Sequence, residues 1–367
     1  MCWREAGPII QRMAALTYLN PGSLWGTRGG DYVSDLALAL GHLDGSLHTL
    51  ALGEFYGWTH EDFQALHTAC QRLAPSLVQL QLKSIKLETL EVWSTIVSGI
   101  SALTQLTRLD LDVLSARSTG TGLLAPALRQ LTTLQCLRLH LWYDGGDVAE
   151  LAGALPSLTQ LRCLELLSVG MHGDDMRALA LALGGLCQLQ TLQLLAYGGG
   201  IQTLAGTLAA TLAQSLQGMR RLQELTLTGM GLDADALAPL AAALRSLTYL
   251  RRLGLPCGRM GSEGAAVLAP VLLQLPLLQH LELDRNALGP QGVISLVCVL
   301  PKLRELRHLG LANNNMGPQG AASLAAALPA LTVLTELCLA DNGLGEGDKA
   351  SVLHALRGAP LLRHVKL

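Results

Sequence analysis

Apolar residues recur along this chain in a six-residue pattern, Leu-x-x-Leu-x-Leu, that repeats from Leu47 to the last residue. Successive copies begin 28 residues apart over the last five steps and 27 to 33 residues apart before them. Inside each copy the leucines alternate with other residues, which predicts a strand, and apolar residues at helical spacing follow. The pattern therefore predicts twelve units of one strand and one helix each. They begin at Leu47, Leu77, Leu106, Leu134, Leu161, Leu189, Leu222, Leu250, Leu278, Leu306, Leu334 and Leu362.

The unit that begins at Leu278 illustrates the predicted order of elements. Leu281 and Leu283 alternate as in a strand, and the Gly-Pro pair at 289–290 marks a turn. A proline in the first helical turn costs little, because its missing N–H would have no helical partner there. Pro301 then closes the helix. The hydrophobic period thus switches from 2 to 3.6 within each unit.

Stacking such units in parallel pairs the backbone of each strand and buries one continuous apolar core. Adjacent parallel strands lie about 4.8 Å apart, whereas packed helices need about 8 to 10 Å. The helix side of the stack must therefore be longer than the strand side. We expect an α/β solenoid, a horseshoe with parallel strands on its concave face and helices on its convex face.

The longer pattern Leu-x-x-Leu-x-Leu-x-x-Asn-x-Leu/Met-Gly, with its 28-residue period, resembles the ribonuclease-inhibitor-type leucine-rich repeats over residues 46–367. The chain also resembles Ran GTPase-activating proteins, the repeat regions of NOD-like receptors and ciliary adaptors. The resemblance implies that the asparagine at the ninth position of a repeat bonds to neighbouring backbone, and this residue occurs here as Asn286, Asn314 and Asn342.

Other residues occupy the ninth position in the first eight repeats, whose turns we expect to be less regular. They are Phe55, Ile85, Leu114, Trp142, Val169, Tyr197, Met230 and Gly258. We expect the aromatic members, Phe55, Trp142 and Tyr197, to point into the core. The neighbouring aromatic residues Tyr56, Trp58 and Tyr143 are better placed for exposure, either as interface anchors or as plain surface turns.

Residues 1–45 fit the pattern poorly. We predict an N-terminal cap there, in which a degenerate repeat is a possible component, and a leucine-rich-repeat domain with twelve strands over residues 46–367. The chain ends on a strand with no capping segment, so a fragment of a larger protein is a further expectation.

Composition narrows the class of protein. Mean hydropathy is +0.36, yet no apolar run approaches the ~20 residues of a membrane span, so we expect no membrane insertion. A net charge of −2 without basic runs predicts no nucleic-acid partner. Eight cysteines without CxxC pairs, and an N-terminus without a continuous apolar stretch, favour a cytoplasmic protein, with nuclear or ciliary locations left open.

Side chains at the third, fifth and seventh positions of each repeat alternate with the core leucines, so they should form columns on the strand side. Their charges alternate in sign, which indicates partial pairing among themselves. They are candidates for partner binding or, alternatively, ordinary solvated strand positions. With the turn aromatics, the candidates are Arg108, Asp110, Asp112, Arg138, His140, Tyr143, Glu165, Tyr56, Trp58, Glu282, Asp284, His308 and Glu336.

One column, His280, His308, Glu336 and His364, has metal-binding residue types. Ligands in a line about 4.8 Å apart do not converge on one ion at 2.0 to 2.3 Å, so we expect no metal and no cofactor.

Cys136 and Cys163 share the third position of neighbouring repeats, within disulfide distance, although reduced thiols are the default in the cytoplasm. The catalytic motifs Gly-x-Ser-x-Gly, His-Glu-x-x-His and Gly-Lys-Ser/Thr are absent, so we expect no enzyme. The chain should be a protein-binding scaffold, a monomer or part of a larger complex. The alternatives are a Ran-type GTPase activator, or the ligand-sensing region of a NOD-like receptor or ciliary adaptor.

Overall fold

The structure is a computed structural model that describes residues 18–19, 47–53, 60–87, 89–115, 120–142, 148–169, 171–197 and 206–367. The chain divides into two compact units, Met1–Leu186 and Cys187–Leu367, called unit 1 and unit 2 below. Each unit contains strands that alternate with helices along the chain.

The strands of unit 1 pair in sequence order, each parallel to the next. The register is continuous except between β3 and β4, where it shifts between Leu82 and Ile85. They are β1 (Tyr18–Leu19), β2 (Thr49–Gly53), β3 (Gln79–Leu87), β4 (Arg108–Ser115), β5 (Cys136–Leu141) and β6 (Cys163–Val169). Its helices are α1 (His60–Leu73), α2 (Leu90–Ser101), α3 (Leu124–Gln130), α4 (Val148–Ala152) and α5 (Gly173–Leu183). Thr89 caps α2 by accepting a hydrogen bond from the Val92 N–H at 3.3 Å.

Unit 2 has the same alternation, and its strands from β9 onward have only three residues each. Its strands are β7 (Thr191–Tyr197), β8 (Glu224–Thr228), β9 (Arg252–Gly254), β10 (His280–Glu282), β11 (His308–Gly310), β12 (Glu336–Cys338) and β13 (His364–Lys366), again parallel and in sequence order. Its helices are α6 (Gly206–Gln217), α7 (Ala234–Leu244), α8 (Gly261–Leu272), α9 (Gly289–Val297), α10 (Gly317–Ala327) and α11 (Glu346–Ala355).

The core of each unit consists of the repeating leucines. Strands β2 to β13 all begin two residues after the first leucine of a predicted repeat. In the eleven repeats that begin at Leu47 through Leu334, the leucines at the first, fourth and sixth positions are at most 4% exposed. The predicted fold class, an α/β repeat solenoid with parallel strands, is confirmed. The predicted cap, residues 1–45, lies outside the described residues except for β1.

Asn286, Asn314 and Asn342 form a buried ladder in unit 2, at 0%, 0% and 2% exposure. The Asn286 N–H donates to Asn314 Oδ1 at 2.9 Å, and the Asn314 N–H donates to Asn342 Oδ1 at 3.0 Å. The Asn314 side-chain amide donates to the Leu283 carbonyl, also at 2.9 Å. The expectation that these asparagines bond to neighbouring backbone is confirmed. Each one donates a hydrogen bond to a carbonyl of the turn that follows β10, β11 or β12.

The aromatic ninth-position residues do not behave as predicted. Trp142 is 41% exposed and Tyr197 is 43% exposed, so the expectation that they point into the core is wrong. Trp142 directly follows β5 and Tyr197 is the last residue of β7, and both side chains lie outside the leucine core. Ile85 and Met230, at the same position of other repeats, are fully buried. Phe55, with Tyr56, Trp58 and Tyr143, lies outside the described residues.

Among the described residues, no helix has the length and apolar character that crossing a membrane requires.

We expect Asn314→Ala to lower the free energy of unfolding by about 2 to 4 kcal/mol, because the buried N–H groups of Asn286 and Leu288 lose Asn314 Oδ1 as their acceptor. Urea unfolding followed by circular dichroism measures the change. Gln319→Ala, at an exposed position of α10, is the matched control and should change it by less than about 0.5 kcal/mol. Equal effects of the two substitutions would show that the ladder does not stabilise unit 2.

Candidate functional site

The in-register pairing of β3 to β6 places polar side chains in columns on one side of the sheet. Arg108 is aligned with Cys136, and Cys136 with Cys163. The next column aligns Asp110 with Arg138. We call this surface the unit 1 strand face; its members are Gln79, Gln81, Arg108, Asp110, Asp112, Cys136, Arg138, His140, Cys163 and Glu165.

Five of these residues form a continuous charge network. Arg108 Nη2 lies 2.9 Å from Asp110 Oδ2, and Arg138 Nη1 lies 3.9 Å from the same oxygen. Arg138 Nε lies 3.1 Å from Glu165 Oε2, an electrostatic contact without the geometry of a hydrogen bond. His140 Nε2 lies 3.0 Å from Glu165 Oε1. The predicted pairing of alternating charges is therefore present.

Asp110 is the most enclosed member of the network, with a side chain only 8% exposed against 36% for Arg108 and 38% for Arg138. Its Oδ2 accepts hydrogen bonds from Arg108, while its Oδ1 is buried and has no hydrogen-bond partner among the described residues. A buried carboxylate is costly to desolvate and needs both neighbouring arginines. Asp110 thus positions the two arginines and offers little surface of its own, unlike the exposed candidate that the sequence predicts.

The His140–Glu165 pair shifts the pKa of both partners. The hydrogen bond to Glu165 raises the pKa of His140 above its ordinary value of 6.5, although partial burial opposes the shift. The same bond lowers the pKa of Glu165 below 4.5. At a pH between the pKa of Glu165 and the pKa of His140, the imidazolium and the carboxylate are both charged, and the pair presents a fixed charge pattern on the strand face.

Asp112 and Trp142 meet at the end of the strand face. The Trp142 indole N–H donates a hydrogen bond to Asp112 Oδ1. This bond accounts for the exposed position of Trp142, because a fully buried indole would have to find its partner elsewhere. The sequence singled out Asp112 as a candidate; its link to Trp142 comes from the structure alone.

Unit 2 carries a second set of columns. His280, His308, Glu336 and His364 are register partners on consecutive strands. His308 Nδ1 and Glu336 Oε2 are 2.9 Å apart, and the rings of His280 and His308 stack with centroids 5.7 Å apart. The hydrogen bond from His308 lowers the pKa of Glu336, whereas partial burial and nearby Arg252 lower the pKa of His280.

A groove of about 580 Å³ lies on the strand side of unit 2. Gly254 of β9 and Gly310 of β11 occupy the fifth position of their repeats, and they give Glu282 small neighbours on both sides. A Cβ at position 310 would lie only 3.0 Å from Asp284 Oδ1, so a larger residue there would require the Asp284 side chain to shift by a few tenths of an ångström. The groove is lined by Gln193, Leu195, Tyr197, Glu224, Thr226, Thr228, Arg252, Pro256, Cys257, Glu282, Asp284 and Arg285.

The acidic residues of this groove are differently restrained. Asp284 Oδ1 accepts a hydrogen bond from the Ala312 N–H at 2.7 Å, which fixes its orientation. Partial burial raises the pKa of Asp284 despite that bond. Glu282 is half-buried, and its register partners are glycines. The groove therefore combines a fixed carboxylate, a less restrained one and the exposed ring of Tyr197.

The structure groups the candidate residues into separate sites. Arg108, Asp110, Arg138, His140 and Glu165 form the charge network, and Asp112 pairs with Trp142. In unit 2, Glu282 and Asp284 line the groove, while His308 pairs with Glu336. Tyr56, Trp58 and Tyr143 lie outside the described residues. Across the part of the chain that the structure describes, no three His, Cys, Asp or Glu side chains are placed to hold a metal ion.

Sequence reasoning did not select several residues of the groove, including Tyr197, Thr226 and Arg252. Thr226 and Arg252 occupy the fifth and third positions of their repeats, so the column pattern contained the signal that could have selected them. The sequence predicts a core position for Tyr197 because it stands where other repeats have asparagine, but asparagine is smaller and fully hydrogen-bonded there.

Residues 274–297 and 302–325 each match the family model described as "Leucine Rich repeat". These two stretches of unit 2 are therefore similar to leucine-rich repeats. No curated protein matches it. Among solved structures, a leucine-rich-repeat protein of Leptospira interrogans is similar over 99% of this chain and 98% of its own, with 14% sequence identity and a TM-score of 0.31. Values this low transfer neither a partner nor an activity to this chain.

We expect Glu165→Gln to return the pKa of His140 towards 6.5, because the hydrogen bond to a carboxylate is its main cause. An NMR titration of the imidazole Cε1–H signal, assigned with His140→Gln, measures it. Glu150→Gln on α4, an exposed position, should leave the signal unchanged. A His140 pKa that does not respond to Glu165→Gln would contradict the assigned pair.

The His140–Glu165 pair also makes the stability of the fold depend on pH. The folded pKa of His140 is raised, so its contribution is complete below pH 6.5 and is lost as the pH rises through the folded value. The pKa of Glu165 is lowered, so its contribution is present above pH 4.5 and is lost as the pH falls through the folded value. The difference in unfolding free energy between wild type and Glu165→Gln should therefore be largest between pH 4.5 and pH 6.5, and it should shrink at lower and at higher pH.

Proposed function

We propose that the protein is a non-enzymatic scaffold that binds another protein through the strand sides of its repeats. The observation that carries the proposal is a contrast within each repeat. Leucines at the first, fourth and sixth positions are buried, while the third, fifth and seventh positions carry varied polar residues, most of them partly exposed. A uniform frame can then present a specific pattern of charge and shape.

The charge network of unit 1 suits recognition of a partner with complementary charges. Its arginines are held by Asp110 and Glu165 before any partner arrives, which reduces the side-chain entropy lost on binding. Both arginines remain more than a third exposed, so they can still contact a carboxylate of the partner. Fixed charges of both signs favour specificity and association rate more than raw affinity.

The groove of unit 2 suits insertion of a partner side chain. Its volume of about 580 Å³ exceeds that of one side chain, and its walls combine Thr226 and Thr228 with three acidic residues. Two arginines on the same walls offset part of this acidity. Exposed Tyr197 supplies the kind of rigid aromatic surface that is enriched among interface anchors. A lysine or a small polar side chain of the partner fits this lining best.

We further propose that the repeats are of the ribonuclease-inhibitor type. The 28-residue period and the asparagine ladder at the ninth position support this proposal. The alternatives, a Ran-type GTPase activator and the ligand-sensing region of a NOD-like receptor or ciliary adaptor, stay predictions that no contact in the described residues favours. The cytoplasmic location, the N-terminal cap at residues 1–45 and the candidate binding residues likewise stay predictions.

The test is site-specific photo-crosslinking in cells that produce the protein. Benzoylphenylalanine replaces Gln79 on the unit 1 strand face or Gln193 in the groove, and the controls carry it on the helix side at Arg177 or Glu263, both exposed. We expect a defined adduct from at least one strand-side position and none from the controls. Adducts from the helix side alone would contradict the proposal.

Once that adduct is identified, the purified pair gives a quantitative test. Arg138→Gln should weaken the dissociation constant on the order of tenfold, about 1.4 kcal/mol, because Asp110 and Glu165 lose a shared partner and the interface loses a charge. Arg177→Gln should leave the constant unchanged. Circular dichroism melting of both variants separates lost binding from lost folding.

A further inference from the structure

Two thiols face each other on the unit 1 strand face. Cys136 on β5 and Cys163 on β6 are register partners and occupy the same repeat position, so their side chains leave the sheet on the same side. Both are partly exposed, and both are free cysteines. Parallel strands lie about 4.7 to 4.9 Å apart, within the Cα separation of 4.4 to 6.8 Å that a disulfide spans.

We propose that Cys136 and Cys163 are a redox-active dithiol that hydroperoxides convert into a reversible disulfide across β5 and β6. The modification site goes beyond partner binding and requires no partner. It needs only the two thiols, held side by side by strands whose next residues, Leu137 and Leu164, are anchored in the core at 0% and 1% exposure.

The surroundings shift the pKa values of the two thiols in opposite directions. The Cys136 thiol donates a hydrogen bond to the Cys163 sulfur, and this bond with nearby Arg138 lowers the pKa of Cys163 to about 7, against the opposing effects of partial burial and Glu165. The same bond and partial burial raise the pKa of Cys136. Cys163 is therefore the nucleophile and Cys136 the thiol that resolves the intermediate.

The oxidant is a hydroperoxide, with hydrogen peroxide as the probe. The Cys163 thiolate attacks one peroxide oxygen, the O–O bond breaks, and hydroxide leaves, which gives a sulfenic acid at Cys163. The Cys136 sulfur then attacks the Cys163 sulfur, the S–O bond breaks, and the Cys136 proton leaves with the oxygen as water. Two thiols and one peroxide thus give one disulfide and two waters. Glutathione or another thiol restores the dithiol by exchange.

Other cysteines provide internal controls. Cys338 occupies a strand position in unit 2, but its register partners are Gly310 and Lys366, so no thiol lies beside it in the sheet. Cys70 is buried, and burial raises its pKa to about 12, which keeps it protonated. Cys338 is the matched comparison for reactivity, and Cys70 is the expected unreactive thiol.

The experiment treats the full chain with a small excess of hydrogen peroxide, blocks the remaining thiols, digests with trypsin without reduction and maps the peptides by mass spectrometry. Residues 130–138 and 163–177 fall on separate tryptic peptides. We expect these two peptides to be joined by a disulfide in monomeric protein and to separate after reduction. In Cys136→Ser, dimedone should trap a sulfenic acid at Cys163. The dimedone mass also distinguishes this product from oxidation of Met171 or Met176.

Reactivity towards iodoacetamide at pH 7 supplies the second readout. Cys163 should react on the order of fivefold faster than Cys338, because the lowered pKa of Cys163 increases its thiolate fraction more than it reduces the nucleophilicity of that thiolate. Cys338→Ser should leave the joined peptide unchanged. The proposal is overturned if the two peptides are joined only in disulfide-linked dimers. It is equally overturned if both thiols stay free while Cys338 is oxidised.

Discussion

In-register pairing of parallel strands is the constraint on which the rest of each unit depends. It places every first, fourth and sixth leucine over its counterpart in the neighbouring repeat, and these side chains are at most 4% exposed in eleven repeats. A slip by one residue would turn the leucines to solvent and the polar columns to the core. The same register brings together the charge network, the His308–Glu336 pair and the two thiols.

The two units satisfy their turns in different ways. In unit 2 the asparagine ladder supplies side-chain partners to backbone N–H and carbonyl groups, and the accompanying strands need only three residues. In unit 1 no ninth position carries asparagine, and strands β2 to β6, of five to nine residues, pair more of the backbone directly. Each solution meets the requirement that buried backbone groups be hydrogen-bonded. The longer strands of unit 1 also provide a third column, which holds Asp112 and His140.

The charge network stabilises an arrangement more than it stabilises the fold. Burial of Asp110 costs free energy that two arginines offset, and such exchanges are often close to neutral overall. What the network provides is orientation: Arg108 and Arg138 are fixed by a carboxylate below them and still reach solvent. The groove of unit 2 obtains its shape differently, through Gly254 and Gly310, where the lack of a side chain leaves room around Glu282.

The sequence by itself determined the repeat, the parallel strand order and the columns, because a period of 28 residues with leucine in fixed phase admits one way of burying those leucines. It also placed Asn286, Asn314 and Asn342 correctly, since a short amide at a fixed repeat position has one set of backbone partners. Only the tertiary structure decided that Asp110 is enclosed, that Trp142 and Tyr197 are exposed and that Tyr197, Thr226 and Arg252 share a groove with Glu282. These outcomes depend on the volumes and hydrogen bonds of side chains in neighbouring repeats, which the period of one repeat does not contain.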